Sequence, residues 1–273
     1  MRLLYPKANW EVYHLPLEAF LADVLTERYD LTEIYLAGRT ESIDRIRDLH
    51  AQAGLRLIAQ VVPKGANMAE YLASFEREVG RAVEAGALAI NSQTGRDTFP
   101  HRDNLRVFEC ALELESRHKV PIWHETHRGR ALCNGPATAA LLRDLPTIGI
   151  TADFAHWFCA HESDMSDQED TLEAVIGATR HIHARVGFAE GPQVSDPRNP
   201  AFADWLARHI DLWTRIVRRR AAEGLASFTV TPEFGPPPYL PLVGIENRPV
   251  ADPWEINRWM RGYLAPLMER AVG

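Results

Sequence analysis

Four short stretches of this chain place metal-capable side chains where apolar runs give way to polar ones. The stretch "PIWHETHRGR" (Pro121 to Arg130) leads a short apolar run into Glu125, flanked by His124, His127, Arg128 and Arg130. "TIGITADFAH" carries Asp153 with His156 three residues on, "HIHARVG" carries His181 and His183, and "TVTPEFG" carries Glu233. A carboxylate left without a counter-charge at the edge of an apolar core costs several kcal/mol or takes up a proton, whereas a shared divalent cation satisfies several at once. Three carboxylates and an imidazole make a mostly oxygen-donor set that suits Mn²⁺, Mg²⁺ or Co²⁺, with Zn²⁺ admitted by the imidazole. His181 and His183 fall on the same face of their run, so spacing alone leaves open which of them joins the carboxylates.

Each side chain also has an ordinary explanation. Glu125 can pair with Arg128 or Arg130 at the surface, Asp153 can cap a following turn, and Glu233, after Pro232, can cap a loop. Their joint occurrence at the ends of successive strands is what favours a common site.

Those strands are eight short apolar runs: "RLLY", "EIYLA", "LRLIAQVV", "ALAINS", "VPIWHE", "TIGITAD", "HIHARVG" and "ASFTVTPE". Helical patterns separate them. In "NMAEYLASFEREVGRAVEAG", Met68, Tyr71, Leu72, Phe75, Val79, Ala82 and Val83 share a face, with Asn67 as the cap and Gly86 as the stop. In "DPWEINRWMRGYLAPLMERA", Asp252 is the cap, Pro253 opens the helix, and Pro266 predicts a kink or an early end. Strands alternating with helices predict right-handed crossovers and a parallel sheet. Eight of them in 273 residues predict one α/β domain over residues 1–273, a single (β/α)8 TIM barrel, a fold of about 250 residues. An open doubly wound sheet would want a Gly-rich phosphate loop after its first strand, where this chain has "PKANWE", read as a loop. The proline-rich "FGPPPYLP" after the last strand reads as a stiff, ordered loop.

Composition narrows the partners. With 30 basic against 37 acidic residues and a formal charge of -7, no basic stripe is available to track phosphates, which argues against nucleic acid. No apolar run approaches bilayer length and no secretory leader is recognisable, so no membrane partner is expected. Three cysteines without metal-like spacing point to reduced thiols and a cytoplasmic setting. Assembly into a homo-oligomer is left open.

The ordered set "HETHRG", "TADFAH", "HIHARVG" and "TPEFG" resembles the xylose-isomerase-like TIM barrel superfamily. That group holds sugar (phosphate) isomerases and epimerases, ketose 3-epimerases, hydroxypyruvate isomerases, inosose and dehydroshikimate dehydratases, and endonuclease IV. The resemblance lies in strand order, ligand type and the spacing of Asp153 to His156, and it spans nearly the whole chain. It implies one divalent ion held by Glu125, Asp153, His183 and Glu233, the second histidine of the pair being the ligand. It implies Glu125 and Glu233 as the acid and base pair, and His156 at a substrate hydroxyl or just behind it. Where the epimerases carry an arginine beyond the seventh-strand histidine, this chain has Ala189, and Arg185 is the nearest candidate. A nuclease of this group would need further histidines at the second, third and fourth strand ends, which read "IYLAG", "AQVV" and "INSQ".

The expected activity is a metal-dependent isomerase or epimerase of a small-molecule carbohydrate or a derivative of one. Two adjacent oxygens of an α-hydroxy carbonyl bound to the cation make the neighbouring C–H acidic and stabilise an enediolate. Proton return to the opposite face gives epimerisation, and transfer between neighbouring carbons gives isomerisation. Loss of a β-hydroxyl would instead make the protein a lyase or dehydratase of a keto-sugar, keto-inositol or dehydroshikimate-like substrate on the same site. A non-catalytic binding barrel is the remaining alternative. His127 and Arg128 follow Glu125 into the cavity loop and are candidates for substrate contact, as are Asn91 and Gln93 for sugar hydroxyls. His124 should face the helices, and Trp10, Trp123 and Trp157 stand at or beside strand ends as either cavity wall or core.

Overall fold

The structure is a computed structural model that describes all residues 1–273. Nine parallel strands form the sheet: β1 (Arg2–Leu4), β2 (Pro6–Ala8), β3 (Leu31–Tyr35), β4 (Arg56–Val61), β5 (Ala89–Ser92), β6 (Ile122–Glu125), β7 (Gly149–Ala152), β8 (Thr179–Ala184) and β9 (Ser227–Pro232). β1 and β2 are two halves of one barrel strand, interrupted at Tyr5, whose amide donates to Asp30. β2 pairs with β3 and β1 pairs with β9 through Arg2 and Ser227, so the sheet curls round into a nearly closed barrel. The expected loop "PKANWE" is thereby corrected: Pro6 keeps its place because it opens a strand segment, where its missing N–H breaks little of the ladder.

The helices are α1 (Leu17–Thr26), α2 (Ile43–Ala53), α3 (Met68–Glu84), α4 (His101–His118), α5 (Gly135–Asp144), α6 (Phe154–His161), α7 (Glu169–Ala178), α8 (Ala203–Ala222) and α9 (Pro253–Val272). Asn67 caps α3 by accepting from the Glu70 amide, Asp252 caps α9, and Gly86 follows α3 at a positive φ of 75°. Pro266 neither ends nor interrupts α9, which runs on to Val272. A short hairpin, β10 (Leu242–Val243) and β11 (Arg248–Pro249), follows the proline-rich loop. No helix is long and apolar enough to cross a membrane.

Two apolar layers hold the sites. The larger core lies between sheet and helices and includes Phe20, Tyr71, Phe75, Phe108, Trp157 and Trp213. Inside the barrel, Leu4, Leu31 and Ile58 with Trp123 form a small plug on the side-chain register of Glu33, Gln60 and Glu125. Trp123 stacks on His181 at 5.4 Å and lies over Gly149, where a Cβ would come within 2.9 Å of its ring. The plug fills one end of the barrel and leaves the carboxyl ends of the strands to polar side chains.

Candidate active site

Strand alternation decides which side chains enter the barrel. On β6, Trp123 and Glu125 point in, while His124 points out, bonding Thr94 at 2.7 Å and packing on Phe108 of α4. On β8, His181 and His183 both point in. Asp153, one residue past β7, has its backbone amide held by the Thr126 hydroxyl at 2.8 Å, and its Oδ1 caps α6 by accepting from Ala155. Glu233 follows Pro232 at the end of β9 and accepts from Gln60 of β4 at 3.0 Å.

Glu125, Asp153, His183 and Glu233 converge: each offers one donor atom within 4.8 Å of the other three, and all four side chains are buried. His183 Nδ1 lies 2.9 Å from Glu233 and 3.7 Å from Glu125, yet lacks the alignment for a hydrogen bond to either. Adjacent donors on one ion, at bonds of about 2.1 Å, stand about 3 Å apart, so an imidazole lone pair among carboxylate oxygens at these spacings fits a divalent cation. Asn91 Oδ1 is a further buried atom here without a partner.

A fifth group, not expected from the sequence, organises the cluster from beneath. Glu33 of β3 is fully buried, accepts from Thr231 at 2.6 Å and Gln60 at 3.2 Å, and meets His181 Nε2 at 3.2 Å and His183 Nε2 at 2.8 Å. That contact turns the other nitrogen, Nδ1, toward Glu125 and Glu233. It also gives His181 a separate task, with Nδ1 on Thr229 at 2.6 Å and Nε2 on Glu33.

Charge follows this geometry. Burial opposes ionisation of Glu33, but His183 and His181 hold its carboxyl well below the usual range. Burial likewise works against the His183 cation, and the Glu233 and Glu33 carboxylates outweigh it, holding its pKa well above an ordinary histidine's. Burial pushes Asp153 up to about 7, with Glu125 and Glu233 adding to the rise and Arg185 opposing it. Four acidic side chains beside one guanidinium leave excess negative charge, most of which a divalent ion on the Nδ1 side of a neutral His183 would offset.

Arg185, one residue past β8, is buried and bonds Asp153 Oδ2 and His156 Nε2 through Nη2. Its guanidinium lies 4.9 Å from the Tyr239 ring and 5.5 Å from the Trp10 ring, and its buried Nε has no acceptor. Since the guanidinium only donates, His156 Nε2 is the acceptor, and His156 therefore acts on Arg185. The His127 ring lies tilted against His156 with centroids 3.8 Å apart, and it donates from Nδ1 to the Arg128 carbonyl.

A cavity of about 560 Å³ opens above the cluster, within the range of small-molecule sites. Glu125, Glu233, His127, Arg185, Gln93, Trp10 and Tyr239 line it. Asp153, His183, His156 and Asn91 do not reach its wall. Asn91, expected on sugar hydroxyls, is turned instead to Glu125 at 3.3 Å and His183 at 3.4 Å. Arg128, expected on substrate, is exposed and lies over Tyr239 at 5.1 Å, outside the lining. Trp157 is core, its indole N–H donating to the Leu132 carbonyl.

No family model matches the sequence, and neither does any curated protein. Solved structures do. A 3-keto-D-glucoside 4-epimerase from E. coli is similar at a TM-score of 0.62 and 12% identity, over 97% of this chain and 100% of that one. A xylose isomerase-like TIM barrel protein from Mycobacterium smegmatis, in complex with magnesium, is similar at 0.61 and 13%, over 99% and 98%. A probable 3-DHS dehydratase involved in petrobactin synthesis from Bacillus anthracis is similar at 0.60 and 14%, over 86% and 93%. At such identities the likeness is one of fold, and the chain has the fold of the xylose isomerase-like TIM barrels.

Proposed function

We propose that this protein is a divalent-metal-dependent isomerase or epimerase of a sugar or sugar derivative. The observation that carries the reading is the convergence of Glu125, Asp153, His183 and Glu233 from four successive barrel strands on one point. Those four would hold one Mn²⁺, Mg²⁺ or Co²⁺, or Zn²⁺, and the bound ion would polarise a substrate carbonyl and so acidify the neighbouring C–H.

The chain's own residues then divide the work. Asp153 and His183 lie behind the cavity wall and serve to ligate. Glu125 and Glu233 belong both to the cluster and to the wall, so they are the groups able to meet a substrate proton. One removes it and the other returns it, to the opposite face in an epimerase or to the neighbouring carbon in an isomerase. Arg185, fixed by Asp153 and His156, directs its remaining N–H groups at substrate oxygen. His127 donates to the Arg128 carbonyl through Nδ1, which leaves Nε2 to accept from a sugar hydroxyl or from Tyr239. The acidic surface charge and the lack of histidine at the ends of β3, β4 and β5 weigh against a multi-metal nuclease.

The test is metal analysis of the purified protein followed by a keto-sugar panel scored for deuterium uptake from solvent. Uptake at the carbon next to the carbonyl, lost by about 10²–10⁴-fold in Glu125→Gln and Glu233→Gln, is the expected result. A bound metal with a product lighter by one water would replace this reading by a dehydratase.

A further inference from the structure

We infer that the substrate carries an anionic group, a carboxylate or a phosphate, seated against Lys64 and Arg130 at the cavity mouth. The inference rests on the metal-site reading above and narrows its substrate class. The cavity is divided by chemistry. Trp10 and Tyr13 after β2, Tyr35 at the end of β3 and Tyr239 after β9 make one side aromatic, with Trp10 and Tyr239 edge to face at 4.8 Å. The loops after β4, β5 and β6 make the other side, with Lys64, Gln93 and Arg130 in succession.

Neither Lys64 nor Arg130 has an acidic partner. Every other arginine lining this cavity or buried near it does: Arg185 is matched by Asp153, Arg39 by Glu41. Arg130 instead donates to the neutral Gln93 amide at 3.2 Å, which holds its guanidinium on the wall without neutralising it. The only carboxylates lining the cavity are Glu125 and Glu233, and both belong to the metal cluster. Glu33, Glu125, Asp153 and Glu233 with a divalent ion and Arg185 sum to a single negative charge held inside the barrel, so Lys64 and Arg130, on the loops after β4 and β6, face the cavity with no carboxylate paired to either. A neutral sugar gives no use for that arrangement. An anion on the end of the sugar remote from the reacting carbons would answer both cations while its apolar C–H face rests on Trp10 and Tyr239.

The test titrates the full-length protein calorimetrically, loaded with Mn²⁺ and again metal-free, with three matched probes: D-fructose, D-fructose 6-phosphate and D-fructuronate. At least one charged probe should bind about tenfold tighter than D-fructose, less so as salt rises, and the better of the two identifies phosphate or carboxylate as the group recognised. Lys64→Gln and Arg130→Gln should each remove about three- to tenfold of that preference while leaving Mn²⁺ affinity as it was. Equal or absent binding of the charged probes relative to D-fructose, or a preference that survives the Lys64→Gln/Arg130→Gln double variant, overturns the inference. A wild-type protein that takes up no Mn²⁺ but keeps the charge preference would sink the metal reading and leave this one standing.

Discussion

His183 Nε2 stands 2.8 Å from the Glu33 carboxylate, while its Nδ1 stands 2.9 Å from Glu233. One imidazole thus joins a carboxylate on the second barrel strand to one on the eighth, and the first contact fixes which nitrogen the second side receives. Partners of this kind raise ligand basicity and lock ring orientation. Glu33→Gln should weaken Mn²⁺ binding by about 10- to 100-fold with little loss of secondary structure, whereas Glu33→Asp should recover part of it. A titration showing wild-type affinity in Glu33→Gln would reduce the contact to core packing.

Gly235 follows the last ligand candidate and lies under the aromatic wall. A Cβ at this position would sit 2.2 Å from Trp10 Cη2, so Gly235→Ala must displace the indole or the loop that carries it. Overpacking of this sort costs about 1–3 kcal/mol. The variant should fold with a lowered Tm and bind sugar probes more weakly, with metal affinity preserved. Unchanged sugar binding would remove Trp10 from the substrate wall.

How much of this was legible in the chain depends on where each side chain sits in its strand. Glu125, Asp153 and Glu233 each close an apolar run, and polar residues after an apolar run mark a strand end. Glu33 lies inside "LTEIY", where a lone carboxylate reads as the solvent side of a strand. Its partners His181, His183 and Thr231 are remote in sequence, and only barrel closure brings them to it. Tyr239 was hidden in a proline-rich loop whose path no periodicity records. The polar residues that close an apolar run mark Asn91 and Arg128 as lying at strand ends, but the direction of each side chain is set by neighbours: Glu125 draws Asn91 inward, and the Tyr239 ring holds Arg128 outside.

Lys7 falls in the polar stretch after the first apolar run, where a loop is expected, yet it is fully buried, paired with Glu11, 4.2 Å from the Trp254 ring. Asn257 of α9 also donates to Glu11, at 2.8 Å, tying the last helix to the turn that follows β2. Burial lowers the Lys7 pKa and Glu11 opposes the fall. Lys7→Met strands the Glu11 carboxylate and should cost about 3–5 kcal/mol in urea unfolding. The double variant Lys7→Met/Glu11→Leu should recover most of that loss, since an apolar pair of similar volume removes the orphaned charge. Additive losses in the double variant would mean the two residues act independently.

His209 of α8 is buried against Phe158 and Trp213, donates from Nδ1 to the Trp205 carbonyl, and accepts at Nε2 from Gly187. Burial pushes its pKa down to about 3, against about 6.5 in an unfolded chain. Between those values the unfolded state binds the extra proton, so stability is complete above about pH 6.5 and falls as pH drops toward 3, by up to about 1.4 kcal/mol per pH unit. Urea midpoints of His209→Gln should therefore depend less on pH from 6 to 4 than those of wild type. An equal slope in the two proteins would contradict a neutral buried His209.

The central claim is that Glu125, Asp153, His183 and Glu233 share one divalent ion, and a Mn²⁺ titration followed by electron paramagnetic resonance tests it most directly. One Mn²⁺ per chain should bind, with a nitrogen-14 coupling from a single imidazole that vanishes in His183→Ala, and binding should fail in Glu233→Ala. Stoichiometric binding that survives both variants with its nitrogen coupling intact, or no binding by the wild-type chain, would contradict the account.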